Sequence, residues 1–188
     1  MTEPKVELIG RARLLDDFFQ VDAVDYRFER QDGRTSAPVR RLVLERGDSV
    51  AALLHQGPRL WLVEQLRIAT WPSGPGWLLE VVAGIVGAGE SPEAALRREV
   101  HEETGFEIEA LDWLGSFYLS PGGSSERVHL ALAEVGTRSG PGGGVTEEGE
   151  DIRLIELTPD GLRDAWRQGR LVDAKTLIAA MAYFGARP

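Results

Sequence analysis

The stretch GIVGAGESPEAALRREVHEETGF, from Gly84 to Phe106, constrains this chain more than any other. Ser91 is a good N-cap, Pro92 suits the first helical position, and Gly105 suits the residue just past the end. The spacing predicts a helix of about three turns from Pro92 to Thr104. On it Glu99, Glu102 and Glu103 stand at i, i+3 and i+4, so three carboxylates share one side. Leu96 and Val100 define the apolar stripe, and at about 100° per residue Glu103 falls beside Leu96, with Glu99 just beyond. The carboxylates therefore border the buried face. In solvent, like charges at this spacing cost only about 0.2–0.5 kcal/mol per pair. Partly buried, at about 5.5 Å and an effective dielectric of about 20, two of them repel by roughly 3 kcal/mol. A divalent cation removes that penalty, and hard oxygen ligands favour Mg2+ or Mn2+.

The rest of the composition bounds the setting of this helix. At 188 residues, 43% hydrophobic and 27% charged, the chain can build one sizeable core with a small appendage. Its net charge of −9 argues against a general nucleic-acid surface, which needs basic patches. There is no cysteine, which excludes disulfides, a thiol nucleophile and thiolate metal sites. No apolar run approaches the roughly 18 residues of a membrane span, and MTEPKVELIG lacks a signal-peptide core. The expectation is a cytoplasmic protein without a membrane partner. His55, His101 and His129 are scattered and make no ligand spacing, and Ser124 and Ser125 lack an elbow or nearby base.

Along the chain, Val6–Leu15 reads as a short strand entry, Phe18–Arg30 as a strand, Gln31–Arg34 as a hairpin turn and Val39–Glu45 as the returning strand. This antiparallel β meander occupies residues 1–47. Strands are expected at Ser49–His55, which is apolar enough for burial on both faces, and at Arg59–Arg67. Further strands are expected at Trp77–Ala83, Glu107–Leu114, Phe117–Ser120, Arg127–Glu134 and Asp151–Leu157. The glycine-rich, acidic run from Thr137 to Gly149 reads as a mobile loop. Thr158-Pro159 opens a helix with Leu162, Ala165 and Trp166 at core spacing. Asp173 caps a last helix with Leu177, Ile178 and Met181 on one face. Strands, helix, strands and two helices in this order give a mixed α/β (α+β) fold, with helices packed on a sheet.

Gly84, Glu90, Arg98, Glu99, Glu102, Glu103 and Gly105 stand at the fixed positions of the Nudix box, and the chain resembles the Nudix hydrolases. At background frequencies of roughly 6–7% each, that set arises by chance about once in 10⁸ start positions, which separates it from coincidence. The resemblance implies the Nudix α/β/α sandwich with a mixed sheet over residues 48–188. It also implies hydrolysis of a diphosphate, with metal ions neutralising charge and lowering the pKa of water. Glu99 and Glu103 are the best-placed ligands, with Glu102 as a third or acting through water, and Ala83 would add its backbone carbonyl. Glu102, Glu103 and Arg98 belong to the expected catalytic set, and Arg98 with Glu90 looks like the family's internal ion pair.

The same resemblance reaches beyond the box. Enzymes of this family that cleave ADP-ribose and related sugar nucleotides carry an acidic loop before a strand of the DIRL kind. Matched on Glu-Asp-Ile-Arg, Glu148 falls at the general-base position and Glu150 at a metal position, with Glu147 as a competitor for the base. Pro121 within SPGGSSER matches ADP-ribose-type members, and Glu126 would sit near the terminal sugar. Arg67, in Gln65-Leu66-Arg67-Ile68-Ala69, matches an arginine that contacts the diphosphate. Arg41 matches one lining the base pocket, although Leu42 replaces a carboxylate found in many relatives. Phe18 or Phe19 could stack on the base. The stretches LRIATW, GGGVTEEGEDI and LVDAKTLIAAMAYF look equally like GDP-mannose hydrolases. The implied function is Mg2+-dependent cleavage of a nucleoside diphosphate sugar, ADP-ribose to AMP and ribose 5-phosphate, with GDP-mannose as the alternative. A non-catalytic nucleotide sensor is the reading from another class. A homodimer built through the N-terminal meander is also implied.

Overall fold

The computed structural model describes residues 4–145 and 149–185. Over that range the chain forms two compact units, one made of residues up to 48 together with 118–127, the other of 49–117 together with 128 onward.

In the first unit β1 (Val6–Asp16), β2 (Gln20–Phe28) and β3 (Val39–Glu45) form an antiparallel sheet in that order. Pairing of Asp16 with Gln20 closes the β1–β2 hairpin. Phe18 and Phe19 therefore lie in the turn, not in the strand expected to begin at Phe18. Ala23 and Asp22 are the buried residues of β2. Asp22 is paired with Arg13 and with Arg11 Nη2 at 2.5 Å, and Arg11 continues to Glu45 at 2.8 Å, tying β1 to β3. These arginines, Arg13 foremost, hold the Asp22 carboxyl below its ordinary value. Residues 118–127 attach along β3, where Leu44 N–H donates to the Gly123 carbonyl (2.8 Å) and Ser125 N–H to the Leu44 carbonyl (3.1 Å).

The second unit is built on a seven-stranded sheet of β4 (Ser49–Gln56), β5 (Arg59–Leu66), β6 (Trp77–Glu80), β7 (Val82–Ile85), β8 (Phe106–Tyr118), β9 (Arg127–Arg138) and β10 (Arg153–Leu157). The order is β10-β5-β4-β9-β8, with β6 on β5 and β7 on β4. β4 runs parallel to β9 and antiparallel to β5 and β7, so the sheet is mixed. Both faces of β4 are buried. Val50, Ala52 and Leu54 pack with Leu96 and Val100 of α1 (Pro92–Thr104), Trp61 and Phe106 in one cluster. Leu96 and Val100 are fully buried, each contributing about 1.5–3 kcal/mol. Ala51 and Leu53 alternate to the opposite face. α2 (Pro159–Arg167) packs on β5 and β10, and α3 (Ala174–Tyr183) on β4 and β6. The result is a helix–sheet–helix sandwich.

Several elements differ from the sequence expectation. Trp77–Ala83 is not one strand: the chain leaves β5 at Glu80 and joins β4 at Val82, with Val81 between. Conversely, the two strands expected over 107–120 are one, β8, running through Gly115. α3 buries Thr176, Ala179 and Ala180, and leaves Ile178 and Met181 exposed. The inner face of α3 is thus made of short side chains, with Ile178 and Met181 outside it. Trp166 of α2 is likewise more than a third exposed. No described helix is long and apolar enough to cross a membrane.

Candidate metal and catalytic site

Local chemistry sets the ends of α1. Ser91 Oγ accepts the Ala94 N–H (3.2 Å), and Gly105 takes the left-handed conformation (φ 75°) while its N–H donates to the His101 carbonyl. Beyond it, the glycine-rich segment closes over the helix end. Gly143 N–H donates to the Glu103 carbonyl (2.8 Å), Gly144 N–H to the Glu102 carbonyl (3.1 Å), and Arg138 Nε to the Thr104 carbonyl (2.9 Å). These bonds satisfy carbonyls that any helix leaves open at its C-terminus. A Cβ at Gly142 would stand 2.6 Å from the Thr104 carbonyl carbon, so this close passage requires glycine there. The run expected to be a mobile loop is thus, between residues 139 and 144, bonded to the helix and its cap.

Glu103, Glu99 and Glu150 bear on one another electrostatically near this end of the helix. Glu103 is 3% exposed, and its Oε2 has no hydrogen-bond partner among the described residues. Burial, then the charges of Glu99 and Glu150, push the Glu103 carboxyl well above its ordinary value of 4.5. Glu99 is raised chiefly by burial too, against the opposing pull of Arg98. Its carboxylate lies directly over Gly84, where a Cβ would overlap it. Ala83, one residue earlier in β7, pairs with Ala51 of β4. Glu150 is held by its own loop: Val145 N–H donates to Glu150 Oε2 at 2.9 Å.

Arg98 organises the outer side of the helix. Nη1 donates to Glu99 Oε1 (2.7 Å) and Glu102 Oε2 (3.1 Å). Nε and Nη2 reach the two oxygens of Glu90 (3.2 and 3.1 Å), and Nη2 also reaches the Ile85 carbonyl (3.1 Å). One guanidinium thus fixes the loop before the helix and two of its carboxylates. In return Arg98 and the Gly87 N–H lower the Glu90 carboxyl.

Among the described residues, no three carboxylate or imidazole side chains converge as a finished metal cage. Arg98 occupies Glu99 and Glu102 in this arrangement. The donor set nevertheless fits a divalent cation: a buried Glu103 oxygen with no hydrogen-bond partner among the described residues, under the charges of Glu99 and Glu150, is costly, and a hard cation relieves it.

Arg67 enters this region paired, not free. Its Nε and Nη2 both donate to Glu80 Oε2, at 3.1 and 2.8 Å. Burial works against the Arg67 charge, and Glu80, with lesser help from Glu103 and Asp173, more than offsets it. Glu80, 3% exposed, is the residue that reading the sequence missed. Its signal was an acidic side chain inside the apolar run WLLEVV, which needs a partner when buried.

The remaining expected residues lie in the first unit. Phe18 and Phe19 contact each other edge-on at 4.8 Å, with Arg46 over the Phe19 ring. Arg41 is exposed on β3 and donates to the Arg40 carbonyl (3.0 Å). Glu126 is 3.8 Å from Arg46. Glu148 and its competitor Glu147 fall outside the described residues.

The family model described as NUDIX domain matches residues 45–173. A GDP-mannose pyrophosphatase of Cronobacter sakazakii is 36% identical over 179 residues, covering 92% of each chain. An ADP-ribose pyrophosphatase of Escherichia coli (strain K12) is 36% identical over 178 residues, covering 93% of this chain and 85% of that protein. A crystal structure of an ADP compounds hydrolase superposes with a TM-score of 0.74 over 98% of this chain and 97% of that one, at 19% identity. The glutamate helix, its glycine contact and its arginine clasp therefore sit inside a match that spans most of the sequence, and the chain belongs to the NUDIX domain family.

Proposed function

We propose that this protein hydrolyses the diphosphate bond of a nucleoside diphosphate sugar with Mg2+, Mn2+ being the substitute, and that ADP-ribose is its substrate, yielding AMP and ribose 5-phosphate. The observation that carries the reading is the buried oxygen of Glu103, without a hydrogen-bond partner among the described residues and under the charges of Glu99 and Glu150. Glu99, Glu102 and Glu103, with Glu150 and the Ala83 carbonyl, would hold the metal. When bound, it would supply charge neutralisation at the phosphates and a more acidic water. Arg98 keeps Glu99 and Glu102 aimed, and Arg67 offers a cation to the diphosphate. Glu148 is the proposed base, contributing about 10²–10⁴ in rate. Arg41, Phe18 or Phe19, and Glu126 are the proposed contacts to base and sugar.

GDP-mannose is the second reading, because relatives of both names stand at the same 36% identity. The ratio of kcat/KM for the two substrates decides between them. A value at least tenfold higher for ADP-ribose supports the first reading, and the reverse supports the second.

The dimer reading rests on the first unit. Val6, Leu8, Leu14, Leu15 and Phe18 are each about half exposed or more on or beside β1, a concentration of open apolar side chains that a partner copy would cover. Sedimentation at micromolar concentration is expected to give a dimer, and Leu8→Glu to weaken it at least tenfold. A monomeric wild type would contradict the reading.

A further inference from the structure

The first turn of α3 makes a connection that helix capping alone does not need. Asp173 is the N-cap, and its Oδ2 accepts the Thr176 N–H at 2.9 Å, which completes an ordinary cap. The same Oδ2 also accepts the Thr176 hydroxyl at 2.7 Å, while Oδ1 takes Lys175 Nζ at 2.6 Å. With its proton committed to Asp173, Thr176 Oγ1 presents a lone pair to the Val81 N–H at 2.9 Å. Thr176 is 1% exposed and Val81 1%, so this bond has no water to replace it.

Val81 is the joint between β6 and β7, which lead to the site. Glu80 before it pairs with Val63 of β5, and Val82 after it pairs with Ala52 of β4. The chain changes sheet partner at this one residue, and its N–H is satisfied by a side chain from α3. The carboxylate just before the joint is the one that holds Arg67 through two hydrogen bonds. From this chain of contacts we infer that Thr176, fixed by Asp173, is a positioning residue for Arg67, acting through the Val81 peptide and Glu80. The inference rests on the proposed function only where it assigns Arg67 to the diphosphate.

Thr176→Val keeps the shape and removes the hydroxyl, and Thr176→Ser restores it. Two readouts are used on the full chain. By ¹⁵N NMR of the free protein, the Arg67 Nε–H is expected to exchange at least tenfold faster in Thr176→Val than in wild type or Thr176→Ser. In steady state with ADP-ribose and Mg2+, below the melting range, KM is expected to rise at least tenfold in Thr176→Val with kcat changed less than threefold. In an Arg67→Ala background the same substitution should add no further rise in KM. Unchanged Nε–H exchange overturns the inference. So does an activity loss that follows only the folded fraction at constant KM, or a KM effect that adds in full to Arg67→Ala. If the wild type cleaves no sugar nucleotide, the functional proposal fails while the Arg67 exchange rates still decide whether the hydroxyl holds the arginine.

Discussion

Glu103→Gln is expected to lower kcat by about 10³-fold or more while the metal-free protein becomes more heat-stable at pH 8. The activity side follows from the loss of a charged ligand in a site whose catalysis depends on several kcal/mol of charge stabilisation. The stability side follows from the sign of the carboxyl's shift. Burial with Glu99 and Glu150 nearby raises Glu103 well above 4.5, so the folded state binds more protons than the unfolded one over that window. The stabilisation is complete below pH 4.5 and is lost as pH rises through the raised value. Glutamine does not titrate, so the variant escapes that loss. Melting temperature is the readout, at about 2–4 °C per kcal/mol for a chain of this size. Mg2+ should raise the melting temperature of wild type at pH 8 and leave Glu103→Gln nearly unmoved. A variant that is both active and less stable at pH 8 would remove Glu103 from the centre of the site.

The second large effect is expected from a residue with no functional group. Gly84→Ala places a methyl where the Glu99 carboxylate lies, so the glutamate must swing away or β7 must shift. Overpacking of this kind costs about 1–3 kcal/mol. The greater consequence is geometric, since a displacement of about 1 Å in a positioned group can cost 10²-fold in rate. Turnover is therefore expected to fall at least about 10²-fold in a protein that still folds. The metal concentration for half-maximal activity should rise in the same variant. Near-normal turnover would mean that the Glu99 carboxylate does not need the space over Gly84.

The two residues also mark what could be read in advance. Helix α1 has the bounds its caps dictate, because Ser91 and Gly105 act on neighbours three or four positions away. The carboxylate face follows from helical spacing alone. What lay hidden were arrangements decided by distant partners. The joint at Val81 depends on Thr176, 95 residues later, and nothing in WLLEVVA announces it. The inner face of α3 carries Thr176, Ala179 and Ala180, whereas apolar periodicity points to Leu177, Ile178 and Met181. Glycines 142–144 look like a mobile loop by composition, yet the missing side chain of Gly142 lets the backbone pass the end of α1, where Gly143 and Gly144 bond the carbonyls of Glu103 and Glu102. Arg67 was legible as a cation but not as the partner of Glu80, because the pairing joins two strands across the sheet.

Metal-dependent cleavage of a diphosphate at the Glu103 site has a direct readout. ³¹P NMR of ADP-ribose incubated with the full chain tests it most directly, once with Mg2+ and once with a chelator. With Mg2+, the diphosphate signals are expected to be replaced by two phosphomonoester signals of equal area, AMP and ribose 5-phosphate, with no change under chelation. Intact ADP-ribose and intact GDP-mannose after prolonged incubation with Mg2+, or cleavage that proceeds equally in the chelator, would contradict it.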